Sequence, residues 1–383
     1  MHVKIEAVSI VPATTLNRPA TVFAVLSLIA IAGFAGVTRL ANRYQEQQKA
    51  FARRLFARGV ENQKDSRFDR AIEDFRAALT YDHDNSQYQL SLARALRDTG
   101  RTSEAEAYLV NLWERSPQDG FVNLALGRLA AREALTEKAI QYYHNAAYGV
   151  WPSNAEANRR NVEFELIEFL LRQGARPQAE AELIAFSAAI PNDPGILTRT
   201  AELFAKAGTL ERSLPLYQRA LQLDPKSPSA LKGAGAAAFQ IGHYREAENY
   251  LRQAMEVDTN DNESRELLET STLLLLMDPF EPHLGSTERL RRLRAAVAQA
   301  GKRLSQCSAA ADSTDSTLAG LNTSWVQMNN RVEHLTSMDT EASDAAMALI
   351  AQIEEETQKQ CGTGGPADRA LHLLSAKRNG GEQ

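Results

Sequence analysis

Small residues recur at Ala71, Ala105, Ala139, Ala179, Ser213 and Ala247, at intervals of 34, 34, 40, 34 and 34 residues. Four positions after each stands a bulky one: Phe75, Leu109, Tyr143, Leu183, Tyr217 and Leu251. A period of that length makes each unit a single supersecondary element. Such an element is too small to bury its own apolar face and stacks on its neighbours. Apolar residues at three- and four-residue spacing run through every unit, and no stretch alternates with period two, so the elements are helices.

Further residues keep the same frame. Gly59, Gly127 and Gly235 fall where one helix must let the next approach closely, with Ala93 and Ala201 filling that place in two other units and Ile167 departing from it. Gly100, Gly174, Gly208 and Gly242 fall where a left-handed residue ends the first helix of a unit. Pro117, Pro191 and Pro225 stop second helices, because proline has no N–H to continue the ladder. Together these positions resemble the tetratricopeptide repeat over roughly residues 52–262; only the aromatic at the start of each unit is consistently missing. The resemblance implies an all-α fold: a right-handed solenoid of about six helix pairs, with the first helix of each pair lining a concave face that binds protein or peptide.

From Ala20 to Val37 eighteen residues carry no charge, enough to cross a bilayer. Ala30-Ile31-Ala32 has the form of a signal-peptide cleavage site, but it lies inside the apolar run, so an uncleaved single-pass anchor is expected. Orientation is contested. Arg39, Arg43, Lys49, Arg53 and Arg54 would hold the bulk of the chain on the cytoplasmic side. The cysteines argue for the opposite, periplasm-like side.

After the repeats, Glu263 to Met277 reads as a capping helix. Three amphipathic segments follow, carrying Leu290, Leu293, Val297, Ala300 and Leu304; Leu318, Leu321, Trp325, Met328, Val332 and Leu335; and Ala346, Ile350 and Ile353. In an up-down-up bundle the first and third end at one pole, where Cys307 and Cys361 close them. A bridge is then geometrically open to these two cysteines, which would fit an oxidising compartment; two buried thiols in a cytosolic bundle are the alternative. The organisation expected is an N-terminal tail (1–19), a membrane helix (20–38), a linker (39–51), six repeats (52–262), a capping helix and loop (263–283), a bundle (284–361) and a flexible tail with one short helix (362–383).

The net charge of −5 offers no overall attraction to nucleic acid. The seven histidines are scattered and none has metal-ligand spacing; no phosphate loop, dinucleotide fingerprint or nucleophile elbow occurs. No catalytic residue, metal or cofactor is therefore expected. The working surface is instead the concave face that the resemblance implies. There Phe56, Leu90, Leu124 and Phe164 form an apolar column, beside one that reads Lys64, Asp98, Arg132, Arg172, Lys206 and Gln240 and another that begins Val60, Arg94, Arg128 and turns acidic at Glu168 and Glu202. That pattern suits an extended or helical peptide carrying acidic groups, although cations in a last helical turn also complement the macrodipole. Tyr148 and Trp151, in the six-residue insertion, are either partner anchors or packing under a longer loop. The expectation is a membrane-tethered, non-catalytic adaptor. Its rivals are an envelope enzyme with its site in the C-terminal helices and a scaffold that self-associates through them.

Overall fold

The computed structural model describes residues 18–310 and 316–379, so the expected N-terminal tail lies almost wholly outside the described residues. Among those residues there are seventeen helices and no strand. They fall into two compact units, the first ending at Phe164 and the second beginning at Glu165.

In the first unit, α1 (Arg18–Lys64), α2 (Phe68–Tyr81), α3 (Ser86–Asp98), α4 (Thr102–Arg115), α5 (Gly120–Arg132) and α6 (Thr136–Ala147) pack each on the next, and alternate helices α1, α3 and α5 also touch. The marker residues explain why. Ala71, Ala105 and Ala139 are fully buried where helices cross, and Phe75, Leu109 and Tyr143 fill the space behind them. The first helix of a pair begins at a side-chain cap: Asn85 accepts from the Tyr88 N–H at 3.2 Å and Asp119 from the Val122 N–H at 3.0 Å.

Each first helix ends in the same hydrogen bond. The second residue past the C-cap donates back five positions, as in Arg67 N–H to Asn62 O, Arg101 to Leu96 and Leu135 to Ala130, at 2.8–2.9 Å. The residue between must then be left-handed. Gly100 serves at φ 80°, but Ser66 (φ 61°) and Ala134 (φ 57°) occupy the same place in their pairs, where no glycine marks it. A side chain there costs roughly 1–2 kcal/mol. The variant Ala134→Gly is accordingly expected to stabilise the first unit by about 1 kcal/mol, read as a higher midpoint in urea denaturation; a lower midpoint would contradict the strain.

The six-residue insertion makes a small closure of its own. Val150 pairs with residues 118 and 120 through Gly120 N–H to Val150 O at 3.0 Å and Val150 N–H to Gln118 O at 2.7 Å. Trp151 is buried beneath it, donating from Nε1 to Ala146 O at 3.0 Å and meeting Phe121 edge-on at 4.7 Å. Tyr148 is exposed, with the Arg159 guanidinium 4.5 Å above its ring.

Residues 39–51, expected as a linker, are helical. α1 runs without a break from the apolar segment into the first pair, about 70 Å at 1.5 Å per residue. The polar run Asn42–Lys49 contains good helix formers and neither glycine nor proline, so nothing in it stops the helix. Every large apolar side chain from Val22 to Leu40 is exposed, and this stretch is long and apolar enough to cross a membrane.

α7 (Ala155–Arg172) carries the chain into the second unit, where α8 (Arg176–Ser187), α9 (Pro194–Ala207), α10 (Leu210–Leu223), α11 (Pro228–Gln240) and α12 (Tyr244–Val257) repeat the pattern. Ala179, Ser213 and Ala247 are again fully buried, and the Ser213 hydroxyl donates to Ala201 O at 2.8 Å. Gly174, Gly208 and Gly242 are all left-handed. α13 (Asn262–Met277), capped by Asp261, packs on α12 and also enters the C-terminal core.

That core is formed by α14 (Ser286–Ala310), α15 (Ser316–Glu333), α16 (Thr340–Cys361) and α17 (Pro366–Asn379). Leu293, Val297, Leu304, Ile350 and Ile353 sit at its centre. α17 corrects the expectation of a flexible tail: its Ala370, Leu371 and Leu374 are buried in the same core, and it packs on α13, α14 and α16. The Gly362–Gly365 stretch that reads as the start of a tail is a tight return between two packed helices. Cys307 and Cys361 are joined as a disulfide, with Cα atoms 5.8 Å apart.

Candidate functional site

In the first unit a depression of about 340 Å³ opens on α3 and α5, lined by Ser86, Leu90, Ser91, Arg94, Phe121 and Val122, with Pro152 at its edge. Leu90 and Phe121 give it an apolar floor. Arg94 stands over the Phe121 ring at 5.8 Å, a cation held against an aromatic face. Its guanidinium is half-buried, and its Nε has no hydrogen-bond partner. Burial first, then the like charges of Arg128 and Arg97, push the Arg94 guanidinium below its ordinary range, with Asp119 and Asp98 offsetting part of this. Arg97 is already matched by Asp98 at 2.7 Å. Arg94 and the nearby Arg128 thus bring positive charge to the apolar floor, opposed in part by the Asp119 carboxylate that lines the same depression, an arrangement that favours a bound anion.

The sequence-derived columns divide on inspection. Leu90, Arg94, Leu124 and Arg128 are half-buried residues of α3 and α5, at matching places in successive units. Phe56 stacks on Tyr88 at 4.5 Å and meets Phe75 at 5.5 Å, so it serves packing as much as any open floor. Phe164 is a correction: at 3% exposure it belongs to the interior, on a face of α7 that its neighbours cover, whereas Leu90 and Leu124 at the corresponding places stay half-buried. Lys64, Arg132, Arg172 and Lys206 are exposed, each in the last turn of its helix, where the macrodipole alone accounts for a cation.

Lys206 lines a separate depression of the second unit, of about 400 Å³, with Glu168, Arg199 and Glu202. Arg199 and Glu168 pair there at 2.8 Å, so this surface has mixed charge. The sequence columns do not include Phe121, Ser86 and Ser91. They lie in first helices one or two turns before the cationic column, and only the contact of α3 with α5 shows that they share a depression.

Tetratricopeptide repeat models match residues 63–129 and 204–269, and a second such model matches residues 164–228. The cellulose synthase operon protein C of Komagataeibacter xylinus is 28% identical over 177 residues, which is 42% of this chain and 14% of that protein. The chain thus spans about a seventh of the length of this relative. Among solved structures, PilF of Pseudomonas aeruginosa is 16% identical with a TM-score of 0.41, over 58% of this chain and 97% of that one. The C-terminal part of a tetratricopeptide repeat-containing protein from Cytophaga hutchinsonii is 12% identical with a TM-score of 0.45, over 69% and 98%. The matched stretches take in five of the six buried markers, all but Ala139, and on that ground the chain contains tetratricopeptide repeats over residues 63–129 and 164–269.

Proposed function

We propose that this protein is a non-catalytic, membrane-tethered scaffold whose α3–α5 surface captures acidic segments of partner proteins. The observation that carries this reading is Arg94, a half-buried guanidinium beside Arg128 and over an apolar floor, with an unpartnered Nε. A carboxylate placed there would relieve the repulsion between the two cations while apolar neighbours of the ligand cover Leu90 and Phe121. The exposed apolar surface of α1 supports the tether. The Cys307–Cys361 pair supports placing the bulk of the chain in an oxidising, extracytoplasmic compartment.

A fluorescein-labelled peptide alternating glutamate with phenylalanine tests the groove by anisotropy against the full chain in detergent. Replacing Arg94 and Arg128 together by glutamine should weaken binding by about tenfold or more, and the wild-type affinity should fall with added salt. Arg70 and Arg76, on the second helix of a pair, serve as the control. Salt-independent binding, or equal losses from the two pairs of substitutions, would reject the groove as the binding surface.

A further inference from the structure

A third, smaller cavity, of about 130 Å³, opens into the C-terminal core, apart from the groove. Its floor is formed by Arg303 of α14, Glu354 of α16 and Asp368 of α17, and its mouth by Gln358, Gly364 and His372. All three floor residues are more than nine-tenths buried. Their mutual pairing is incomplete. Arg303 donates from Nη2 to Gly362 O and lies 3.7 Å from Asp368, whose other oxygen accepts from Gln299 at 3.2 Å. Two polar atoms remain without any hydrogen bond: Glu354 Oε1 and Arg303 Nε.

Those two atoms ask for different things. A buried carboxylate oxygen requires a donor, and a guanidinium N–H requires an acceptor. With both carboxyls ionised the floor holds two carboxylates against one guanidinium, an excess negative charge that only a proton on one of them or a bound cation offsets. A metal ion is a poor answer, since no group of three suitably placed His, Cys, Asp or Glu side chains exists among the described residues. A primary ammonium with a neighbouring hydroxyl would answer both demands. Its cation would pair with Glu354 and its oxygen would accept from Arg303 Nε.

We infer that the cavity between α14, α16 and α17 is a binding site for a small amino alcohol, held by Glu354 through its ammonium and by Arg303 through its hydroxyl. Burial, reinforced by the charge of Asp368 and opposed by Arg303, pushes the Glu354 carboxyl up to about 7. A bound cation must lower it again, so binding near neutral pH should expel a proton into the buffer. The other charged or titratable side chains around the cavity are Arg369, which is paired with Glu266 at 2.6 Å, and the exposed His372.

Isothermal titration calorimetry on the full-length chain in dodecyl maltoside, at pH 7 in two buffers of different ionisation enthalpy, tests this directly. Ethanolamine and glucosamine distinguish an open-chain amine from an amino sugar, and at least one should bind with a buffer-dependent heat. Ethylamine, which lacks the hydroxyl, should bind more weakly, and ethylene glycol, which lacks the charge, should give no heat. Glu354→Gln should weaken binding by about thirtyfold, because it removes the buried charge partner while keeping the side chain's shape; an unchanged urea midpoint would show that the bundle is intact. Absence of heat from both amino alcohols, or undiminished binding by Glu354→Gln, would overturn the assignment. Ethylamine binding as tightly as ethanolamine would overturn the part given to Arg303.

Discussion

Replacing Cys307 and Cys361 together by alanine is expected to lower the stability of the C-terminal bundle by about 4 kcal/mol, because the bridge closes a loop with a sequence separation of 54 residues. The bridge joins α14 to the final residue of α16, and the loop it closes contains all of α15. Without it the unfolded bundle regains the freedom that the covalent link removes, while the folded core loses little beyond the contacts of the buried Cys307 sulfur. A repeat array does not unfold in one step, so a single melting temperature would mix independent events. Hydrogen exchange resolved by mass spectrometry separates them: amides of α14 and α16 should exchange faster in the variant, and those of α2–α6 should not change. Uniform acceleration, or none, would contradict the local role. If both thiols react with a maleimide before any reductant is added to freshly lysed cells, the bridge does not form where the protein resides, and the extracytoplasmic placement falls with it.

Phe75→Ala should cost about 3–5 kcal/mol in the first unit, since the ring is fully buried. Its neighbour makes a sharper test. A Cβ on Gly59 would come 2.6 Å from the Phe75 ring, so Gly59→Ala alone forces the ring or the helix aside and should cost about 1–3 kcal/mol. In the double variant the added methyl enters the space the ring has vacated. The double variant should therefore be more stable than the two separate losses imply, by at least about 0.5 kcal/mol. Urea denaturation followed by far-ultraviolet circular dichroism would measure all three, and strict additivity would show that Gly59 is not required by the approach of Phe75.

These two sites also show what the sequence reveals and what it hides. The 34-residue frame was legible because close helix crossings accept only small residues, and the fully buried Ala71, Ala105 and Ala139 are what that constraint produces. Ser66 and Ala134 were not legible, because an alanine in a left-handed turn looks like any other alanine; only the recurring backward hydrogen bond exposes it. Residues 39–51 misled for the opposite reason. A polar run between apolar segments resembles a joint, although its residues favour helix. The cationic column was readable as a spacing, but its depth was not. Phe164 turned inward, and the importance of Arg94 depends on Phe121, which lies 27 residues further along the chain. The cluster of Arg303, Glu354 and Asp368 had no sequence signature at all, since it joins three helices across a core.

The uninterrupted α1 has a mechanical meaning. If its apolar end is fixed in a bilayer, the first repeat sits on a shaft rather than a leash, and its azimuth is set by helical phase. Each residue added between positions 39 and 51 would swing the first repeat by about 100° and raise it by about 1.5 Å, whereas seven added residues would lift it by about 10 Å and return it nearly to its original heading. Whatever the α3–α5 surface faces, it faces because of a residue count.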